Sequence, residues 1–318
     1  MSANEILKVE SLCKYFSVRG RLLRAVEKAS FTLRSGQTLG VVGESGSGKS
    51  TLGRTILRLL EPDGGRVVFD GTDLKGLGRE QLRQRRQEMQ MVFQNPLASL
   101  NSRMTVGANI EDPLIIHKIG NAGERKRRVT ELLERVGLSS TMADVYPAEL
   151  SGGQQQRVGI ARAVALQPKL VVCDEPVSAL DVSIQLQIIT LLQELQQEFN
   201  LAYIFISHNL AVVEYLSDVV AVMYLGEIVE SAPVEEVFNN PQHPYTRVLI
   251  QSILKVPNSY DDKSVFSVLP GEVPSPLSPP SGCTFHPRCP MAQEICRTQK
   301  PITRSLGKEH NVACHFAE

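Results

Sequence analysis

The segment Gly43-Glu44-Ser45-Gly46-Ser47-Gly48-Lys49-Ser50 follows the apolar run Thr38–Val42 and leads through Thr51 into a helix-forming stretch. Few folds accept that order of strand, glycine-rich loop and helix. The glycines let successive backbone N–H groups turn inward on a polyphosphate, Lys49 reaches the β/γ oxygens, and the Ser50 hydroxyl can ligate Mg²⁺. A second glycine-rich turn, Leu150-Ser151-Gly152-Gly153-Gln154, also opens a helix and offers N–H groups and a positive dipole end to an anion. Only one of the two loops carries the lysine, so each is expected to grip a different nucleotide. That arrangement implies a dimer with two ATP molecules sandwiched at its interface.

Composition sets outer limits. The chain has 318 residues, 42% of them hydrophobic, enough for one large domain or two smaller ones. Its 34 basic and 34 acidic residues cancel, so no global field favours nucleic acid. The local clusters Arg83–Arg86 and Arg125–Arg128 read as solvated helix faces. Apolar runs such as Leu201–Ile206 and Val219–Leu225 are strand-length, well short of the roughly 20 residues that span a bilayer. The first residues lack the apolar core of a signal peptide. The expectation is a chain that stays in the cytosol, where any membrane association would have to come through a partner.

Periodicity places the elements. Strands are expected at Ile6–Glu10, Leu22–Val26, Ser30–Leu33, Thr38–Val42 and Arg66–Phe69, with a helix over Lys49–Leu60. Between Pro96 and Gln167 strand signals fade, and Glu124–Val136 and Gln154–Leu166 show helical spacing. Strands return at Leu170–Cys173, Tyr203–Ser207 and Asp218–Tyr224, around a helix over Ile184–Phe199. The order describes a parallel α/β core with an inserted helical subdomain. Beyond about Val256 the run Leu269–Pro280 is too proline-rich for a helix or central strand, and reads as an extended connector.

Carboxylates and amides at strand ends supply the remaining chemistry. Lys169–Cys173 is an apolar strand that ends in Asp174 and Glu175. Asp174 suits Mg²⁺, through water, because that ion keeps much of its hydration shell. Glu175 can polarise the attacking water as general base. His208 follows the strand Ala202–Ser207 and suits a γ-phosphate contact. Gln94 follows Gln90–Phe93, where its amide can reach Mg²⁺ or the water. Ser178-Ala179-Leu180-Asp181, just past Glu175, could cross a dimer interface.

This ordered set resembles the nucleotide-binding subunits of ATP-binding cassette (ABC) transporters over residues 1 to about 240. The resemblance makes Gly43–Ser50 the Walker A loop, Gln94 the Q-loop, Leu150–Gln154 the signature, Leu170–Glu175 Walker B, Ser178–Asp181 the D-loop and His208 the switch histidine. It implies a P-loop NTPase fold of the α/β class: a RecA-like core with a helical subdomain at about 96–166, within a domain spanning 1–255. It implies too that Ser151–Gln154 cap the partner's ATP, and that an aromatic upstream of the loop stacks on adenine. Phe16 is the choice here, with Tyr15 adjacent.

The tail carries Cys283, Cys289, Cys296 and Cys314, spaced C-x5-C-x6-C-x17-C. For a cytosolic chain metal binding outranks disulfides, and the spacing alone leaves Zn²⁺ and an iron–sulfur cluster open, with His286, His310 and His315 as substitute ligands. Cys173 reads as a small core residue. Asn239–Thr246, Leu269–Pro276 and the Cys283–Cys289 segment resemble the C-terminal extension of oligopeptide and dipeptide importer ATPases, which would make 256–318 a separate extension. That resemblance implies a [4Fe–4S] cluster on the four cysteines. It also implies a second ATPase subunit, identical or homologous, two membrane permease subunits and an extracytoplasmic peptide-binding protein, at the cytoplasmic face of the inner membrane. No peptide pocket is evident in the sequence, and importers of nickel, glycosides or antimicrobial peptides share the architecture. A soluble ABC ATPase acting on ribosomes or DNA would be expected to carry two cassettes or basic arms, and a metabolic kinase has no use for Ser151–Gln154.

Overall fold

A computed structural model describes residues 5–252, 271–307 and 309–318. The first half of the chain forms strands β1 (Glu5–Val18), β2 (Arg21–Arg34) and β3 (Thr38–Val42), helix α1 (Lys49–Ile56), strands β4 (Gly64–Phe69) and β5 (Thr72–Asp73), helix α2 (Arg79–Arg85) and strand β6 (Met89–Val92). Four helices follow: α3 (Pro96–Ser99), α4 (Val106–Ile116), α5 (Ala122–Arg135) and α6 (Gly152–Val164). Then come β7 (Leu170–Asp174), α7 (Val182–Phe199), β8 (Ala202–Ile206), α8 (Leu210–Leu216), β9 (Val219–Tyr224) and β10 (Glu227–Pro233). The chain closes with α9 (Val234–Asn239), α10 (Pro244–Gln251), α11 (Glu294–Thr298), β11 (Arg304–Ser305) and β12 (Asn311–Val312).

Two compact units share these elements. One comprises Met1–Lys8, Thr32–Thr38 and Val67–Ile206; the other comprises Val9–Phe31, Leu39–Arg66 and Ser207–Glu318. In the first, β6, β7 and β8 run parallel, with Val92 opposite Cys173 and Asp174 opposite Ile206. Every residue of β7 and β8 is buried, as continuous apolar runs in a parallel sheet require. Cys173 is part of that core. The helices α3 to α6 form the expected insertion. Asn109 ties its first turn together: the side-chain amide donates to the carbonyls of Asn101, Met104 and Thr105, and its oxygen accepts from the Asn101 N–H.

In the second unit β3 pairs parallel to β9, and β9, β10, β12 and β11 continue antiparallel. The cysteine-bearing tail thus adds two short strands to this sheet, with Glu230 opposite Val312. A carboxylate buried in the sheet orders the region around it. Glu230 is fully buried and accepts from the Gln242 N–H at 2.7 Å, the His243 N–H at 2.9 Å and His310 Nε2 at 2.8 Å. Three donors make the burial of that charge tolerable. His243 in turn caps α10, its Nδ1 accepting from the Tyr245 N–H, so His-Pro-Tyr is here a helix start.

Three expectations need correction. The strand expected at Ile6–Glu10 runs on as β1 to Val18, passing Ser11 in the left-handed region at φ 47°. The pieces Leu22–Val26 and Ser30–Leu33 belong to one strand, β2, which passes Lys28 in the left-handed region at φ 51° without stopping. Helix α1 ends at Ile56 and not Leu60, because Arg58 turns left-handed at φ 50°. The expected boundary at 255–256 and the first residues of the proline run lie outside the described residues.

Candidate nucleotide site and its flanking thiol pocket

The phosphate loop lies in the second unit, between β3 and α1. Gly43 (φ 151°) and Gly48 (φ 103°) have backbone angles that only glycine adopts easily. A Cβ on Gly43 would stand 2.2 Å from the Met223 carbonyl oxygen, and one on Gly48 2.0 Å from that of Ala25. At these two positions the loop is therefore packed too closely against neighbouring backbone for any side chain. Lys49 is buried, and its Nζ donates to the carbonyls of Gly43 at 2.8 Å and Glu44 at 2.9 Å, with Ser47 Oγ at 3.5 Å. The loop's own oxygens thus hold the ammonium against the turn. Ser50 and Thr51 occupy the first turn of α1, where the helix dipole favours an anion. His208 belongs to the same unit and is exposed.

Phe16 and Tyr15 sit half-buried on β1 of this unit. The Tyr15 N–H donates to Asp63 at 2.7 Å, and Lys14 Nζ stands 5.4 Å from the Phe16 ring centroid. The hydrogen bond from the Tyr15 backbone is also what holds the Asp63 carboxyl below its ordinary range.

The carboxylates lie in the first unit. Asp174 ends β7 fully buried, and Glu175 follows with φ 47°, its N–H donating to the Ile206 carbonyl at 3.0 Å. A left-handed glutamate at a strand end is strained backbone of the sort found at functional sites. The register that sets Val92 beside Cys173 brings Gln94 alongside Glu175, and Gln94 Nε2 donates to Glu175 Oε2 at 2.9 Å. Ser178 Oγ donates to the Glu175 carbonyl, and Asp181 caps α7 by position.

Ser151 begins α6 with a reciprocal capping box: its Oγ accepts from the Gln154 N–H and its own N–H donates to Gln154 Oε1. Ser151 and Gly152 are exposed. A Cβ on Gly153 would meet Ile184 Cγ2 at 2.7 Å, so the turn packs against the start of α7 just past Asp181. Val182 and Leu186 on α7 are 73% and 61% exposed.

The six cysteines are thiols, none in a disulfide. Cys283, Cys289, Cys296 and Cys314 line one pocket in the second unit, together with Phe285, Met291 and Phe316. Burial pushes the Cys283 thiol up to about 11 and raises Cys289 and Cys314 as well. Such a pocket favours neutral thiols, and a bound cation is what would convert them to thiolates. Four soft donors without intervening carboxylates suit Zn²⁺ or iron–sulfur chemistry. Among the described residues, no three His, Cys, Asp or Glu side chains already stand at ligating geometry.

Sequence reasoning missed the residues linking this pocket to the phosphate loop. Arg288, just before Cys289, donates Nη1 to Glu44 Oε2 at 2.7 Å and Nη2 to Glu44 Oε1 at 3.0 Å. Tyr245 Oη accepts from the Glu44 N–H at 2.8 Å. Both partners are some two hundred positions from Glu44, and no local pattern announces them.

Known proteins resemble this chain along most of its length. The ABC transporter family model matches residues 26–178, and the model of the oligopeptide/dipeptide transporter C-terminal region matches 229–296. The oligopeptide transport ATP-binding protein AppF of Bacillus subtilis (strain 168) is 50% identical, covering 98% of this chain and 97% of that one. The di/tripeptide transport ATP-binding protein DppF of Pseudomonas aeruginosa (strain UCBPP-PA14) is 46% identical over 98% of each. Among solved structures, a dimeric ATP-binding cassette in a post-hydrolysis state with ADP and Pi has a TM-score of 0.67 at 30% identity, covering 72% of this chain and 99% of that one. CbiO1 from Clostridium perfringens, part of the ABC transporter complex cbiONQ, has a TM-score of 0.66 at 30% identity, over 74% and 92%. The chain belongs to the ABC transporter family, as an ATP-binding, ATP-hydrolysing subunit with the P-loop NTPase fold. Within that family it carries the oligopeptide/dipeptide transporter C-terminal region.

Proposed function

We propose that this chain powers the import of di- and oligopeptides across the cytoplasmic membrane by hydrolysing ATP. One observation carries the reading: a single chain joins the ABC cassette to the oligopeptide/dipeptide C-terminal region, and relatives named for peptide transport align over nearly its whole length. Lys49 holds the β/γ-phosphates, Gly43–Thr51 cradle the remaining oxygens, and Phe16 stacks on adenine. Ser50, Gln94 and Asp174 serve Mg²⁺, Glu175 polarises the attacking water, and His208 senses the γ-phosphate. Catalysis of this kind is mostly positioning and electrostatics.

Ser151–Gln154 and Asp181 face the ATP of a second cassette, identical or homologous. The exposed Gly152, Val182 and Leu186 support that reading, since large apolar side chains bare beside an anion-binding turn fit a partner surface. Two permease subunits carry the substrate path, and an extracytoplasmic binding protein delivers peptide. Among the described residues no helix is long and apolar enough to cross a membrane, which agrees with peripheral attachment through the permeases. The region from Pro96 to Pro113 is the socket for a permease helix, supported by Leu97 exposed on α3. Cys283, Cys289, Cys296 and Cys314 hold a [4Fe–4S] cluster, which would supply a rigid, redox-capable knot to the tail; Zn²⁺ is the competing occupant.

The test is to purify the membrane complex with its subunits and measure ATP hydrolysis as substrate-loaded binding protein is added. Di- or oligopeptide should stimulate turnover. Stimulation by nickel or a glycoside alone would replace the substrate class, and salt-sensitive binding to RNA or DNA would favour a soluble role.

A further inference from the structure

Glu44 is the second residue of the phosphate loop, and three groups converge on it. Its carbonyl accepts from Lys49 Nζ, its N–H donates to Tyr245 Oη, and its carboxylate takes both prongs of the Arg288 guanidinium. A paired fork of this kind fixes direction as well as distance. Arg288 is 5% exposed, so it cannot be counted as a solvent-screened surface pair.

Arg288 is itself firmly seated. It ends a short turn, His286–Arg288, between Cys283 and Cys289 of the thiol pocket. Phe285 meets Tyr224 edge-on at 5.3 Å and Tyr245 at 5.4 Å between ring centroids, and Tyr224 and Tyr245 lie 4.7 Å apart. Tyr224 ends β9 one residue after Met223, whose carbonyl excludes a side chain at Gly43. The tail therefore touches the loop through an aromatic cluster and one ion pair, all within one unit.

We infer that Arg288 is a positioning residue for nucleotide binding. Through Glu44 the cysteine-bearing tail sets the backbone of the phosphate loop and the reach of Lys49, so whatever disturbs the seating of Cys283–Cys289 lowers affinity for the triphosphate. The inference rests on Gly43–Ser50 being the ATP loop.

Equilibrium binding of a fluorescent ATP analogue to the full chain tests it, alongside the KM and kcat of ATP hydrolysis. Arg288→Ala should raise the dissociation constant about tenfold and raise KM with little change in kcat. Arg288→Lys keeps a charge but loses the fork, and should recover part of the affinity. Glu44→Gln keeps size and breaks the pair from the other side, so a poorly folded Arg288→Ala would not spare the idea. Combining Arg288→Ala with Glu44→Gln should add little beyond either alone. Wild-type affinity in Arg288→Ala or Glu44→Gln, with binding abolished by Lys49→Ala, would overturn the inference and leave the ATP site intact. Binding that Lys49→Ala does not weaken would overturn the ATP-loop reading itself.

Discussion

Gln94 Nε2 donates to Glu175 Oε2 at 2.9 Å, joining the ends of two neighbouring parallel strands. The glutamate's backbone is held in the left-handed region, and its N–H is fixed to the Ile206 carbonyl. One carboxylate oxygen is thus oriented by an amide. Gln94→Ala should lower kcat by about ten- to a hundredfold through loss of this orientation, with a smaller change in KM. Steady-state kinetics checks it, and an unchanged kcat would show that the contact has no part in turnover.

Gly48→Ala tests the close packing of the loop. The new Cβ would meet the Ala25 carbonyl at 2.0 Å, at a backbone angle alanine resists. The loop must shift to accommodate it, and nucleotide affinity should fall by more than about tenfold, the equivalent of roughly 1.4 kcal/mol. Titration with a fluorescent analogue measures the loss. Binding at wild-type strength would mean the loop geometry tolerates a side chain.

Burial holds His243 neutral, with its pKa lowered to about 3 from an ordinary 6.5. Below pH 6.5 the unfolded chain takes up a proton that the folded chain refuses until about pH 3. Stability from this group is complete above that window and declines through it as pH falls, by at most about 1.4 kcal/mol per pH unit. His243→Asn keeps a capping acceptor for the Tyr245 N–H and removes the titration. Denaturation curves at about pH 7 and about pH 5 should differ less in the variant than in the wild type. Equal differences would exclude His243 as the source.

The [4Fe–4S] cluster proposed for the four thiols has a compositional test. Protein prepared anaerobically should contain iron and acid-labile sulfide, and Cys289→Ser should lose both. Zinc without sulfide would replace the cluster with a structural metal.

Local chemistry was legible in the sequence where it resides in contiguous residues. The phosphate loop needs Gly43 and Gly48 because neighbouring backbone lies too close for a Cβ, and the run Leu170–Glu175 becomes a buried strand with a carboxylate pair at its end. Long-range partners carry no such signature. In the sequence Arg288 is one basic residue in a cysteine tail, and Glu230 one acid with no motif around it. Only the fold brings the first to Glu44 and the second to His310. The lengths of β2 and α1 escaped for a related reason: left-handed residues such as Lys28 and Arg58 bend or stop an element without any glycine to mark the place.

Glu175 is the group proposed to activate water for ATP hydrolysis. The most direct measurement is ATP binding and turnover by Glu175→Gln, which keeps the shape of the side chain and removes its basicity. ATP should bind as in the wild type while hydrolysis falls by a factor of about a hundred or more. Hydrolysis at the wild-type rate would contradict the assignment.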